Sequence, residues 1–381
     1  MCKHQQLDKV IRKCIEEAGG FLSFDRFMQA ALYEPELGYY ESKTVFGEKG
    51  DFVTAPELGP WLSLGFADLI FWAWKELGEP ADWTLLEQGS GSGKLLASTL
   101  AMIAQFSMTK PSAVISVERS AQLRERQSEL FGASGFDVDV VSTLDAVAER
   151  ENIIVFSNEL PDAFPVRCFC HSAGDFYERG VEVGESGYEW NNDETIITDG
   201  PDIADELIAG WQDGYISEWN PGLAGWQQQL SQIVKSGFVL TNDYGYSQQE
   251  YYREGRREGS LMAHIGQAAS EDVLLDPGSR DITAHVDFTA LAKAGKQFGL
   301  SPLLWMSQGG WLAQSPSVQA FVQSLAMQND ATSMHLMAHA KRVLMPYGMG
   351  EVFKLLVQSK GVASQRPDYL SQFDHLDHLK I

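Results

Sequence analysis

Cysteine is scarce, with four residues (Cys2, Cys14, Cys168 and Cys170) in a chain of 381. Their number and spacing give neither a disulfide framework nor a four-ligand zinc site, so they are expected as reduced thiols. Cations are also few, 29 Lys and Arg against 52 Asp and Glu, for a formal charge of −23. Neutralising a phosphate backbone requires Lys and Arg, which argues against nucleic acid as the main partner. A basic partner would be attracted, although acidity that serves solubility alone is the plainer explanation. No apolar run is long enough for a membrane helix, and no tract is polar enough for extended disorder. The stretch MCKHQQLDKVIRKCIEEAGG lacks the apolar core of a signal peptide, and Asp8, Glu16 and Glu17 spoil the acid-free look of a transit peptide. A bacterial cytoplasm is therefore the expected location, ahead of a mitochondrial matrix.

What remains is ordinary globular material, 44% apolar and 21% charged, in a chain too long for a single small core. Residues 5–18 and 23–33 read as helices, the first closed by Gly19-Gly20 and the second opened by Ser23. Residues 34–60, dense in Gly, Pro and Tyr, read as a long loop, and a helix resumes from Trp61 to about Leu77. Its Trp and Phe residues have helical spacing and point to core packing. Short apolar runs then alternate with helical patterns, the rhythm of a parallel sheet with crossover helices. Strands are expected at 83–88, 113–118, 136–141, 152–158 and 237–245, with a late one at 351–359. Helices are expected from Lys94 to Phe106 and over 120–131, where Ser120 stands at the cap position. Two expansions interrupt the rhythm: 159–236, part of which (166–198) alternates like a β-meander, and 246–300, where REGRREGS reads as polar and mobile. The expected organisation is an N-terminal helical and lid segment, 1–80, packed on a core of 81–381 that carries both insertions.

The sequence LLEQGSGSGKLL ends an apolar strand at Glu87, places glycines at 89, 91 and 93, and then opens a helix. Backbone without Cβ can turn sharply and lie against a ligand, and a helix N-terminus offers unpaired N–H donors. A dinucleotide fingerprint, G-x-G-x-x-G, would need glycine at 94, where this chain has Lys94, so an NAD-dependent oxidoreductase is disfavoured. The spacing E-x-G-x-G-x-G is the pattern of class I methyltransferases, whose loop cradles the methionine end of S-adenosylmethionine while the acid orients its amino group. A structural turn or another nucleotide site is the alternative for the loop taken alone. Glu118, ending the neighbouring strand, could accept both hydroxyl protons of a ribose, or could simply favour the start of the next helix.

Several segments together are highly specific: LYEPELGYY (32–40), GDFVTAPELG (50–59), LLEQGSGSGKL (85–95), VERSAQLRERQ (117–127), SNELPDAFPV (157–166), NDYGY (242–246), DITAHVDF (281–288) and MGEVFKLLV (349–357). In this order they resemble the MidA-type family, which includes the mitochondrial complex I assembly-factor methyltransferases and many bacterial relatives. The resemblance implies an α/β fold: a Rossmann-like class I methyltransferase sheet with helices on both faces, an N-terminal helical and loop lobe, and inserted β-rich and helical segments. It also implies S-adenosyl-L-methionine as methyl donor and transfer to an arginine nitrogen of a protein, such as a subunit of respiratory complex I. Two departures stand out. The family reads G-P-G where this chain has Gly89-Ser90-Gly91, a change the backbone tolerates, and Leu160-Pro161 occupies the middle of the N-E-x-x-D-A motif, where Pro161 stiffens the loop.

Displacement at a sulfonium needs a nucleophile held in line and water kept out, with no metal or covalent residue required. A guanidinium nucleophile is protonated in water, so carboxylates must grip it and take up the released proton. Glu159 and Asp162 leave the C-terminal end of the fourth strand, where open α/β sheets place their sites, and are the expected gripping pair. Asn158 is expected to present its carbonyl or orient Glu159; a capping Asn and Asp around a helix start is the alternative. Asp51, Thr54 and Glu57 are expected in a lid over the cofactor, against a plain Pro-containing loop. Asp243 and Tyr244, ending the fifth strand, and Asp287 are expected to line the substrate channel. His285 is expected to orient the target or accept a proton, unless it is a buried, hydrogen-bonded histidine. His335 and His339 are spaced i, i+4 but lack the Glu of metalloprotease chemistry, and no metal is expected. A homodimer is compatible with the sequence, and a non-catalytic assembly protein that retains the cofactor site is the competing class of function.

Overall fold

Uninterrupted apolar runs are what a strand buried on both faces requires, and the central sheet is built from them. The computed structural model describes residues 3–41, 59–265, 268–328 and 330–381. Its principal strands are β1 Thr84–Gln88, β2 Ala113–Val117, β3 Asp139–Val141, β4 Ile153–Asn158, β5 Gly237–Tyr246, β6 Ser301–Ser307 and β7 Phe353–Lys360. They lie in the order β6-β7-β5-β4-β1-β2-β3. β5, β4, β1, β2 and β3 are parallel, and β7 runs antiparallel between β5 and β6. The expected Rossmann-like methyltransferase sheet is thus present. From β1 the chain first builds outward through β2 and β3, then returns to lay β4 on the other side. The switch point, where such sheets bind ligands at their carboxyl ends, falls between β1 and β4.

The chain divides into two compact units: Val53–Leu160, Trp226–Gly245 and Leu291–Ile381 form one, and Met1–Phe52, Pro161–Gly225 and Tyr246–Ala290 form the other. The sheet belongs to the first. The helix Trp61–Glu76, grouped at sequence level with the N-terminal segment, belongs to the sheet unit and is buried nearly all round, as a helix apolar on every side must be. Phe66 packs against Phe156 of β4 and Trp311, with centroids 5.0 Å away in each case, so the aromatic run serves the core. β6 escaped the sequence reading. Pro302 sits at a register break before Leu304, and Ser301 and Ser307 bound a short apolar stretch that carries no alternation.

In the other unit, Leu7, Ile11 and Ile15 form the buried stripe of Lys3–Glu17, and Phe24–Tyr33 lies beside it in the same core. The expected meander is present as antiparallel strands Arg167–Ser172, Asp175–Val183 and Tyr188–Ile196, joined on the far side by Tyr215–Trp219. Ala173 and Gly174, both at positive φ, make the two-residue hairpin between the first pair. The segment 253–260, expected to be mobile, is instead fastened. Glu218 is buried and accepts hydrogen bonds from the Ser260 amide (3.0 Å), the Ser260 hydroxyl (2.6 Å) and the Tyr251 hydroxyl (2.7 Å). Its partners lie too far away in sequence for local polarity to reveal them. Cys14, Cys168 and Cys170 carry no disulfide, and burial raises the thiol pKa of the last two. Among the described residues no helix is long and apolar enough to cross a membrane.

Candidate functional site

β1 carries Glu87 into the interior, where it is 2% exposed and its Oε2 has no hydrogen-bond partner among the described residues. Burial pushes this carboxyl up to about 8; the Ser90 hydroxyl and Leu96 amide offset the rise only in part, and Glu118 adds to it. Beyond it Gly89, Gly91 and Gly93 have φ of 71°, 51° and 76°. All three are left-handed, so the glycine spacing is a backbone requirement. A Cβ on Gly89 would stand 2.8 Å from Leu160 Cδ1, and one on Gly93 would stand 3.0 Å from both Gln127 Cγ and Phe131 Cζ. Gly93 caps the helix Lys94–Ile103, whose first amides face the loop.

β2 delivers Glu118 to the same loop. Its Oε2 accepts the Gly91 amide and its Oε1 the Ser120 amide, each at 2.9 Å. Ser120 stands at the cap of Ala121–Ser134 as expected, but its side chain makes no capping bond; Glu118 holds its amide instead. Beneath the loop lies a buried network that the sequence reading missed. Ser116 Oγ is 2.8 Å from Ser90 Oγ and 2.7 Å from Gln127 Oε1, while Gln127 Nε2 donates to the Gly91 carbonyl at 2.7 Å. The Ser90 hydroxyl also donates to the Glu87 carbonyl at 3.1 Å, so the serine where the family has proline is tied into the loop. A signal existed for Gln127, which is a polar residue in the buried stripe Leu123, Gln127, Phe131.

Across the switch point, β4 ends at Asn158 and Glu159 follows it. Glu159 has φ of 51°, a left-handed conformation uncommon outside glycine and held here by surrounding bonds. Its amide donates to the Asn242 carbonyl (3.0 Å), and the Leu160 amide donates to Asp243 Oδ2 (3.2 Å). Asn158 Nδ2 donates to Glu159 Oε1 at 3.0 Å. Asn158 therefore orients Glu159. No α-helix begins here for it to cap, since only the single 3₁₀ turn Pro161–Ala163 follows.

The division of the chain falls after Leu160, leaving Glu159 with the sheet and Asp162 in the other unit. There Asp162 is buried and accepts the Ala284 amide on its backbone oxygen at 3.1 Å. Its charge bears on Tyr40, whose hydroxyl pKa is raised by burial first, then by Asp281, Tyr33 and Asp162. Tyr40 donates to Asp281 Oδ1 (2.8 Å), and Tyr33 stacks on Tyr40 and donates to the Ala163 carbonyl (2.7 Å).

Two other expected positions, Asp243 and Asp287, are engaged in holding backbone. Asp243 is fully buried, with Oδ1 on the Tyr244 amide (2.8 Å) and Oδ2 on Leu160. Tyr244 packs edge-on against Phe353. Asp287 Oδ1 accepts the Thr289 and Ala290 amides at 2.9 and 3.1 Å, the geometry of a helix cap at Phe288–Gln297. The His285 ring lies beside Tyr246, and burial, reinforced by the Arg256 cation, lowers it to about 4, so it is neutral near pH 7. Asp51, Thr54 and Glu57 lie outside the described residues. The His335 and His339 rings are 4.2 Å apart, and no group of three or more metal-ligating side chains occurs among the described residues.

Comparison with known proteins gives a consistent picture. Residues 66–305 match the family profile described as "Putative S-adenosyl-L-methionine-dependent methyltransferase". A solved COG1565 superfamily member from Burkholderia thailandensis, bound to S-adenosyl-homocysteine, is 30% identical, superposes with a TM-score of 0.87, and is covered to 96% by 98% of this chain. Protein arginine methyltransferase NDUFAF7 homolog, mitochondrial, of Drosophila melanogaster is 24% identical over 96% of this chain and 87% of its own length. Its Mus musculus counterpart is 27% identical over 74% of this chain and 69% of its own length.

Proposed function

We propose that this chain, which belongs to that family of S-adenosyl-L-methionine-dependent methyltransferases, methylates a guanidinium nitrogen of an arginine in a protein substrate. The observation that carries the reading is Glu159. It is a carboxylate held in a left-handed conformation at the end of β4, beside the switch point, with its neighbour Leu160 against the glycine loop. The names of the relatives from Drosophila and mouse support the same target. The resemblance of the sequence motifs to the MidA-type family, which includes complex I assembly-factor methyltransferases, makes a subunit of that complex the first protein to examine.

The residues present fit the cofactor. Among the described residues the buried Glu87 Oε2 has no hydrogen-bond partner, Gly89, Gly91 and Gly93 place left-handed backbone without side chains at the mouth of β1, and the Glu118 carboxylate lies on the same loop, which suits an ammonium, a close-lying thioether chain and a ribose. In this reading Glu87, Gly89, Gly91 and Gly93 hold the methionine end and Glu118 the sugar hydroxyls; Asp51, Thr54 and Glu57 join them on the family resemblance alone. When bound, the cofactor supplies a methyl group on a positively charged sulfur. The chain's residues do the rest. Glu159 accepts guanidinium N–H bonds, draws the charge away from the attacking nitrogen and takes the proton that nitrogen releases as the new C–N bond replaces C–S. Asn158 fixes the rotamer of Glu159, and Asp162 is the second candidate carboxylate along the same segment. Asp243, by holding the Leu160 amide, sets the backbone from which Glu159 projects, and Tyr244 and Asp287 remain candidates for contact with the substrate. A neutral, weakly basic His285 is suited to orienting the target and poorly suited to taking a proton.

The test is a comparison of proteomes from cells with and without the chain, by mass spectrometry, in search of a lost methyl-arginine. With the protein so identified, Glu159→Ala should abolish transfer and leave adenosylhomocysteine affinity intact. No lost methyl-arginine, or full activity in Glu159→Ala, would overturn the reading.

A further inference from the structure

The end of β4, the interior of β5 and the residue following β6 carry a run of side-chain amides, Asn158, Asn242 and Gln308, of which Asn158 alone has a role read from the sequence. Gln308 and Asn242 are both completely buried. Gln308 Nε2 donates to the Val343 carbonyl at 3.0 Å. Asn242 Nδ2 donates both to Gln308 Oε1 (2.9 Å) and to Asn158 Oδ1 (2.8 Å), and Asn158 Nδ2 donates to Glu159 Oε1. We propose that Asn242 and Gln308 are positioning residues for methyl transfer, forming a directional amide relay that makes Asn158 face Glu159 with its donor end. The proposal rests on the role given to Glu159 above and deepens it.

The direction follows from hydrogen-bond chemistry. A backbone carbonyl can only accept, so Gln308 must turn its nitrogen to Val343 and its oxygen to Asn242. Asn242 must answer with nitrogen, and its second proton then goes to Asn158 Oδ1. That leaves Asn158 its nitrogen for Glu159, and a carboxylate can only accept. Every amide is therefore oriented by the one before it, starting from a main-chain group that cannot turn over. The strands supply the spacing, since Asn242 and Asn158 are register partners on the parallel pair β5 and β4. Gln308 opens the helix Gln308–Gln314, where Ser307 accepts the Gly310 amide as cap. If Asn242 turned over, two bonds would be lost and an oxygen would oppose an oxygen at both Gln308 and Asn158. Asn242 Oδ1 is buried without a partner among the described residues, so the two bonds made by its nitrogen are what hold its orientation, and Glu159, half-buried and with its backbone already left-handed, is where the series ends.

The test combines two variants with Glu159→Gln, whose amide can donate or accept and so no longer depends on the relay's direction. Asn242→Asp places acceptors against Asn158 and should turn it over. Gln308→Met removes the root of the series at nearly constant volume and serves alone if the buried aspartate prevents folding. Unfolding by urea is measured for each single variant and for each paired with Glu159→Gln. The expected result is that each pair departs from the product of its single effects by roughly fivefold or more in the unfolding equilibrium constant, although residues 159 and 308 do not touch. With a target protein from the proteome comparison, Gln308→Met should lower kcat by roughly tenfold while adenosylhomocysteine affinity and target KM stay within about twofold. Additive unfolding effects would overturn the relay. Non-additive effects with unchanged kcat would overturn its positioning role. Absence of arginine methylation by the unaltered chain would count against the function proposed for Glu159, and the unfolding cycle, which uses no substrate, would still decide the relay.

Discussion

A buried carboxyl that titrates near pH 8 makes cofactor binding a proton-releasing event. Glu87 is pushed up to about 8 chiefly by burial, and its Oε2 has no partner among the described residues. A group with that pKa is about nine-tenths protonated at pH 7. An ammonium brought against Glu87 supplies the positive charge the site lacks and favours the carboxylate, so adenosylhomocysteine binding at pH 7 should expel close to one proton. Returning the group to the ordinary carboxylate range is worth on the order of 5 kcal/mol of interaction between the two charges, part of which desolvation of the ammonium offsets. Calorimetric titration with adenosylhomocysteine in buffers of different ionisation enthalpy measures the release directly. The observed enthalpy should vary linearly with that of the buffer, with a slope of about 0.9 proton expelled, and affinity should increase from pH 6 to pH 7.5. Glu87→Gln should abolish the slope and weaken binding. The cofactor-free chain should show the linked effect on stability. Because the folded-state pKa is raised, the contribution of Glu87 is fully present below about pH 4.5 and is lost as pH rises through about 8. Buffer-independent binding enthalpy in the unaltered chain would refute the reasoning.

Glu118→Gln should weaken adenosylhomocysteine roughly 10- to 100-fold by calorimetry, because an amide cannot accept from Gly91 and Ser120 and also receive two hydroxyls; loss of less than threefold would count against the ribose assignment. Glu159→Gly should be more stable than Glu159→Ala by about 1 kcal/mol in urea unfolding, since glycine alone adopts φ of 51° without strain, while both lack methyl transfer. Gly89→Ala should weaken the cofactor and lower kcat together, because the added methyl meets Leu160, the neighbour of Glu159. His285 should show no NMR titration between pH 5.5 and 8, as burial and Arg256 hold it near 4.

Much of this was legible from sequence because the responsible forces are local. Short apolar runs between helical patterns located β1, β2, β4 and β5, and three glycines at alternate positions announced a left-handed loop. What stayed hidden depends on partners far along the chain. Nothing beside Glu218 indicates that Ser260 and Tyr251 will satisfy it, so 253–260 read as mobile. Asn242 and Gln308 are polar residues next to apolar ones, and their meaning emerges only when strand register brings Asn158 and Asn242 side by side. Asp243 and Asp287 have acidic side chains in the expected place, yet both hold main-chain amides, a distinction that requires coordinates. The left-handed Glu159 has no glycine to advertise it.

The same geometry explains why the cofactor loop and the β4 corner belong together in one sheet unit. Leu160 is in contact range of the position where Gly89 lacks a Cβ, and its amide is fixed by Asp243 from β5. A shift of the glycine loop is therefore felt at Leu160, and through the adjoining peptide at Glu159. Asn242 holds the same corner twice, by its carbonyl on the Glu159 amide and by its side chain on Asn158. Close-packed groups of this kind do not deform smoothly, so a loop set for the cofactor sets the carboxylate as well. In-line displacement needs this linkage, because a nucleophile misplaced by about 1 Å can forfeit on the order of a hundredfold in rate. In the proposed reaction the absence of a side chain at Gly89 and the buried Asp243 thus act on the same distance, between the glycine loop and the Glu159 carboxylate.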